Sequence, residues 1–275
     1  MSDQHRRFLR LRQLPHVWCP GCGNGSIVKA LLTAIGDLGL DQDRVAVISG
    51  IGCAGRAPFI LDFNTMHTTH GRALAFATGM KLVNPDLKVI VIMGDGDASA
   101  IGGNHFIHSC RRNLDLTALV FNNGIYGLTG GQLAPTTPAG KRSTTSMSGN
   151  IEHAFDLVRL ALGAGAGFVA RTTSYDNKQM VTFFKRAISH KGFAFVDVMT
   201  ACPTYFGRMN DLGEPYELLH YLRDTTSPSE DIAREHDESP PADLMPTGIF
   251  RDEERRDYGT LYSQRALATS GKGRS

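Results

Sequence analysis

The run Val89-Ile90-Val91-Ile92-Met93 enters Gly94-Asp95-Gly96-Asp97 with no polar residue between them. Five consecutive large apolar residues leave neither face of a strand for water, so this strand must lie in a sheet covered on both sides. Such sheets are mostly parallel and are assembled from βα units, and the rest of the chain alternates to match. Helical spacing over 24–38 puts Ile27, Leu31, Leu32, Ile35 and Leu38 on one face, and further helices are expected at 72–83, 104–112, 151–162 and 177–189. Short apolar strands are expected at 44–49, 116–121, 168–171 and 193–199, with Asn84-Pro85-Asp86 ending the second helix.

From about Ser227 the pattern weakens and charged, proline-bearing stretches appear at 227–231 and 235–241. The expected organisation is therefore one α/β domain over 1–226 and an extended C-terminal arm over 227–275, with Gly271–Ser275 disordered. The chain carries 29 Lys+Arg against 27 Asp+Glu, a net charge of +2, which gives no reason to expect a nucleic-acid partner. No segment reaches membrane-spanning length and the first residues lack a secretory signal, so a cytoplasmic location is expected. There are five cysteines, an odd number. In a cytosolic chain of this size they point to metal ligation before disulfides, with Cys19 and Cys22 forming a Cys-x-x-Cys pair.

Ligands of an open parallel sheet bind beyond the carboxyl ends of its strands. Gly50-Ile51-Gly52-Cys53, Gly94-Asp95-Gly96-Asp97 and Asn122-Asn123-Gly124-Ile125 all fall at such ends. Glycine there lets the main chain approach a ligand and turn its N–H groups to phosphate. A diphosphate also needs a cation, and Asp95 and Asn123 offer the hard oxygen ligands that Mg²⁺ takes. Cys19, Cys22, Cys53 and Cys202 can gather near the same end, and four thiolates suit either a structural zinc or an iron–sulfur cluster.

Gly94-Asp95-Gly96, followed at the right interval by Asn122-Asn123, resembles the fingerprint of the thiamine-diphosphate enzymes. Further segments extend the likeness: Trp18-Cys19-Pro20-Gly21-Cys22-Gly23, Gly50-Ile51-Gly52-Cys53, His70-Gly71-Arg72-Ala73, Ala77-Thr78-Gly79, Asn122 through Gln132 and Pro135-Thr136-Thr137. Together they resemble the β subunit of the 2-oxoacid:ferredoxin oxidoreductases over about residues 12–225, and Thr247-Gly248-Ile249-Phe250 is similar to a late segment of the 2-oxoglutarate type.

That resemblance implies the thiamine-diphosphate-binding fold, a mostly parallel sheet with helices on both faces. It implies thiamine diphosphate bound along Gly52, Cys53, Ala54, His70, Gly94, Asp95, Gly96, Asp97, Asn123, Ile125, Gly127, Leu128 and Thr129. Mg²⁺ would sit on Asp95, Asn123 and the Ile125 carbonyl, and one [4Fe–4S] cluster on Cys19, Cys22, Cys53 and Cys202. Cys110 matches no ligand position and is expected in the core. Arg56 would meet the substrate carboxylate and His70 the diphosphate, the two residues expected to act in catalysis.

The implied reaction is oxidative decarboxylation of a 2-oxoacid, 2-oxoglutarate before pyruvate or a branched 2-oxoacid. Coenzyme A is the co-substrate and ferredoxin the electron acceptor, and reversal would fix CO₂ in a reductive citric acid cycle. The cofactor carries the carbanion chemistry. The aminopyrimidine glutamate has no place in a chain with one such domain, so an α subunit is expected to supply it in an α2β2 assembly, with the β subunit inactive alone. Two residues depart from the family: Ala54 stands where a small polar residue is common, and His67-Thr68-Thr69-His70 varies on His-Thr-Leu-His. The basic opening Arg6, Arg7, Arg10 and Arg12 is expected as a solvated segment. The competing readings are a non-redox thiamine enzyme with structural zinc and a metal-stabilised binding module.

Overall fold

The computed structural model describes residues 3–229 and 244–270. The stretch 235–241 and Gly271–Ser275, for which irregular or disordered chain was expected, lie outside the described residues. The strands are β1 (Val45–Ser49), β2 (Asn64–His67), β3 (Lys88–Gly94), β4 (Thr117–Asn122), β5 (Ile125–Tyr126), β6 (Gln132–Leu133), β7 (Phe168–Thr173), β8 (Ala194–Met199), β9 (Thr226–Pro228) and β10 (Met245–Asp252). The helices are α1 (Asp3–Arg7), α2 (Asn24–Asp37), α3 (Ala57–Ile60), α4 (Ala73–Val83), α5 (Gly103–Arg112), α6 (Leu157–Gly163), α7 (Asn177–Ser189), α8 (Pro215–Asp224) and α9 (Tyr258–Ser270). One sheet runs β2-β1-β3-β4-β8-β7-β10-β9, parallel except where β10 meets β7 antiparallel; β5 and β6 form a separate hairpin.

The continuous apolar runs expected of a doubly covered sheet divide cleanly between two cores. Val45, Val47, Ile90, Ile92, Leu119, Phe121, Val196 and Val198 face α2 and α7. Ala46, Ile48, Val89, Val91, Ala118, Val120 and Phe195 face the other way, toward α4, α5 and α6. Successive strand residues point to opposite faces, so both sets must be apolar. Ile27, Leu31, Leu32 and Ile35 of α2 are essentially inaccessible. Truncating one of them to alanine would cost about 2–5 kcal/mol, because the cavity left behind closes only in part.

Sequence spacing and structure part at three places. The helix expected from residue 151 starts at Leu157 instead, because the Asp156 carboxylate accepts the Val158 and Arg159 N–H groups and caps it there. Ile151, which fitted the helical period, is almost fully exposed. Between β3 and α5 the chain makes a π-helical turn over Asp97–Ile101, a wider winding often found beside functional sites. Finally, part of the segment expected as a C-terminal arm joins the sheet: Gly248 and Ile249 of β10 pair with Arg171 and Ala170 of β7. Ile249 packs on one core and Phe250 on the other, so the arm covers an edge that would otherwise present unpaired main-chain groups.

Candidate active site

At the carboxyl ends of β1, β3 and β4 a cavity of about 690 Å³ opens. Gly52, Cys53, Ala54, His70, Gly94, Asp95, Gly96, Asp97, Asn123, Ile125, Gly127, Leu128 and Thr129 all line it, joined by Asn24, Ile51, Phe121 and Tyr126, which sequence reasoning did not single out. Gly52 has φ +109° and open space where a side chain would project. The backbone there is thus bare to the cavity, as a phosphate cradle requires. Gly96 is needed for a different reason: an added Cβ would collide with the Tyr126 ring, whose hydroxyl donates to the Gly96 carbonyl at 3.3 Å.

Asp95 is buried, and burial pushes its carboxyl up to about 6 despite a hydrogen bond from the Thr136 hydroxyl and another from the Asn123 N–H. Among the described residues, the groups that act most strongly on it include no cation. A desolvated carboxylate with neutral donors only is a ligand short of a metal ion, so the residues present fit Mg²⁺ beside a diphosphate. Asn123 is turned the same way; its Oδ1 accepts the Ile125 N–H at 3.2 Å.

Asp97, itself on the cavity wall, ties neighbouring loops together. Its Oδ1 accepts the Gly71 N–H at 2.6 Å and the Ile51 N–H at 3.4 Å, joining the loops after β1 and β2. His70 Nδ1 lies 2.7 Å from the same oxygen, close in distance though poorly aligned for a hydrogen bond, and the His70 ring meets Tyr126 edge-on. The second oxygen, Oδ2, is buried without a partner, and burial raises the Asp97 carboxyl.

A second cavity, about 740 Å³, adjoins the first and shares Asn24, Cys53, Asn123, Gly127 and Leu128 with it. Cys19, Cys22, Cys53 and Cys202 line it. Burial, and then the nearby thiols, push Cys22 and Cys53 up to about 11; Cys202 is raised in the same way. A set of crowded thiols that resists ionisation releases its protons when a cationic centre binds, so the donor set fits a metal cluster. Among the described residues, however, no three His, Cys, Asp or Glu side chains are disposed around one point as a single ion would need. An added Cβ on Gly127 would stand 3.3 Å from the Cys202 sulfur and 3.6 Å from that of Cys53, so glycine keeps the shared wall thin. Trp18 donates to the Cys53 carbonyl at 2.7 Å, Thr200 to that of Cys22 at 2.7 Å, and Thr204 to the Cys19 sulfur at 3.3 Å. Cys110 lies apart from this group, fully buried in the opposite core.

Arg56 is exposed, lies over the Phe59 ring at 5.5 Å, and borders the cysteine cavity, not the glycine-lined one. Arg10 is not a solvated residue: it donates to Thr65 at 3.0 Å and to the Pro58 and Phe63 carbonyls, and pairs with Asp62; Arg6, Arg7 and Arg12 are exposed as expected. Thr129 and Gln132 close their loop on each other through hydrogen bonds of 2.7 and 2.8 Å.

Sequence reasoning missed one buried network. Asn122 Nδ2 donates to Asp197 at 3.1 Å, Arg171 Nε donates to the other Asp197 oxygen at 2.9 Å, and Arg171 Nη2 reaches Asp156 at 2.5 Å. The available signal was a charge inside each of two apolar strands, since buried charges occur in pairs.

A mostly parallel sheet covered on both faces, with a glycine-and-carboxylate cavity at its strand ends, is the ligand-binding arrangement of the open α/β class. Residues 47–198 match the family described as thiamine pyrophosphate enzyme, C-terminal TPP binding domain. The chain is 47% identical over 258 residues to 2-oxoglutarate synthase subunit KorB of Archaeoglobus fulgidus, covering 94% of this chain and 92% of that one. It is 43% identical to the 2-oxoacid:ferredoxin oxidoreductase subunit beta of Saccharolobus solfataricus, covering 92% and 83%. A solved 2-oxoglutarate:ferredoxin oxidoreductase from Magnetococcus marinus, with 2-oxoglutarate, coenzyme A and succinyl-CoA bound, superposes with a TM-score of 0.86 at 32% identity, covering 97% and 90%. The chain belongs to the 2-oxoacid:ferredoxin oxidoreductase β-subunit family.

Proposed function

We propose that this chain binds thiamine diphosphate and one [4Fe–4S] cluster in an enzyme that oxidatively decarboxylates 2-oxoglutarate with coenzyme A and ferredoxin. The products are succinyl-CoA, CO₂ and reduced ferredoxin, and the reaction is reversible. The observation that carries this is the pair of adjoining cavities, one with bare glycine backbone beside the buried Asp95 carboxyl, the other lined by four thiols, with Cys53 and Gly127 in the common wall. Groups bound in the two cavities would be parted only by that wall. The relatives named for 2-oxoglutarate and the neighbour holding 2-oxoglutarate and succinyl-CoA support the choice of substrate.

Thiamine diphosphate, when bound, supplies the electron sink for decarboxylation, and the cluster the one-electron acceptor. Asp95, Asn123 and the Ile125 carbonyl would hold Mg²⁺, and Gly52 and Gly94 would offer bare backbone to the diphosphate. His70, steadied between Asp97 and Tyr126, presents its ring to the cavity. Cys19, Cys22, Cys53 and Cys202 ligate the cluster. Arg56, at the rim of the cysteine cavity, offers a planar fork to a carboxylate of the substrate. An α subunit completes the site from across an interface in an α2β2 assembly. Both cavities are lined from within the domain over 1–226, and in the arm over 227–275 the strand Met245–Asp252 braces the sheet edge. Among the described residues no helix is long and apolar enough to cross a membrane, in keeping with a cytoplasmic enzyme.

The test is low-temperature EPR with iron and sulfide analysis on the α/β complex purified without oxygen, followed by ferredoxin reduction with 2-oxoglutarate and with pyruvate. One cluster signal and faster turnover of 2-oxoglutarate are expected. Stoichiometric zinc without a signal would remove ferredoxin from the account, and faster turnover of pyruvate would change the substrate alone.

A further inference from the structure

The Asn122-Asn123 pair divides its work. Asn123 lines the glycine-rich cavity, whereas Asn122 is buried and turned into the sheet. Both side-chain polar atoms of Asn122 and its main-chain carbonyl are engaged: Nδ2 donates to Asp197 at 3.1 Å, Oδ1 accepts the Gly124 N–H at 3.3 Å, and the carbonyl accepts the Thr200 N–H at 2.8 Å. Asp197 is fully buried on β8 and takes Arg171 Nε at 2.9 Å on its other oxygen. Arg171 is itself 1% exposed, and through Asp156 it ties this strand pair to the cap of α6.

We infer that Asp197, held by Arg171, is a positioning residue that sets the Asn122 amide and, through it, the direction in which Asn123 and Ile125 face the cation site. This rests on the proposal that Asp95, Asn123 and Ile125 hold Mg²⁺. The geometry requires a specific acceptor at 197: an Asn122 amide free to flip would present its oxygen to Asp197 and lose the Gly124 N–H that shapes the turn. Partners one shell away from metal ligands change metal affinity by about 10–100-fold when removed. A buried ion pair can also be replaced whole by apolar residues without loss of folding, so position and stability are separable.

The α/β complex is titrated with Mg²⁺ in the presence of thiamine diphosphate by calorimetry, each variant having first been checked for cooperative melting without ligands. The double substitution Asp197→Leu/Arg171→Met removes the Asp197–Arg171 pair and the acceptor, leaving Asp156 in place as the cap of α6, and Mg²⁺ affinity should fall about 10–100-fold. Asp197→Asn/Arg171→Met removes the charges but keeps an acceptor for Asn122, and affinity should return to within a few-fold of the parent. Should the apolar pair fail to fold, Asn122→Leu, which leaves both charges in place, is expected to show the same weakening. Parent-like affinity in the folded apolar pair or in Asn122→Leu overturns the inference, as does equal weakening in both double variants. A parent complex that binds thiamine diphosphate without any Mg²⁺ dependence overturns the cation site itself, and the positioning role with it.

Discussion

A buried aspartate stands at each end of the central sheet, and the two are treated in opposite ways. Asp115, at the amino end before β4, is met by Lys81 and Lys191, each at 2.8 Å, and by the Gly192 N–H at 3.1 Å. Burial alone would raise its carboxyl, but these partners outweigh it and hold it below the usual range. Asp95, at the carboxyl end after β3, is buried more deeply still, its hydrogen bonds come from neutral donors, and burial raises it to about 6. The closed charge cluster at Asp115 stabilises the fold; Asp95, without such partners, is the carboxylate proposed to take the cation. The same polarity appears in the cysteines, since Cys110 is sealed in the core while the other four border a cavity.

The comparison breaks most visibly at the thiols. Changing Cys202 to serine should abolish the reduced-state EPR signal and most bound iron, while Cys110→Ser keeps both; equal iron in the two variants would undo the assignment. Next in size, Asp95→Asn should weaken Mg²⁺-dependent thiamine diphosphate binding by more than about 100-fold, beyond the range of second-layer partners. Isothermal titration checks this, and unchanged binding would remove Asp95 from the metal.

The two aspartates should also answer pH with opposite signs. Asp95 binds its proton more tightly in the folded state, so without ligands it lowers stability as pH rises from about 4 to about 6. Above that window Asp95→Asn should be the more stable protein by ~3 kcal/mol, an advantage that disappears near pH 4. Asp115 contributes stability above the ordinary carboxylate range and loses it as pH falls below that range. Asp115→Asn should therefore cost about 3–5 kcal/mol at neutral pH, as expected for a broken buried pair. Urea unfolding across pH decides both, and parallel curves would erase the distinction between the two ends. The smallest effect is expected from Thr136→Val: losing that hydrogen bond should raise the pH at which Mg²⁺ binding fails by about one unit.

Much of this was legible from residues alone. Apolar runs with no polar face required a doubly covered sheet, and the glycines, Asp95 and Asn123 marked the strand ends where ligands bind. These are local properties: a side-chain period or a turn conformation is encoded within a few residues, so the sequence by itself determined the βα units and the chemical types at their ends. The tertiary structure alone decided which of those groups meet. It brought β10 onto β7, although residues 245–252 carry no strong strand period, because an exposed sheet edge was there to pair. It sent Asn122 inward to Asp197 and Arg171, from strands far apart in the chain. It drew Arg10 into a net of main-chain carbonyls and set Arg56 on the cysteine side of the wall. Contacts between distant segments depend on how whole elements stack, and no stretch of sequence contains both partners of such a contact.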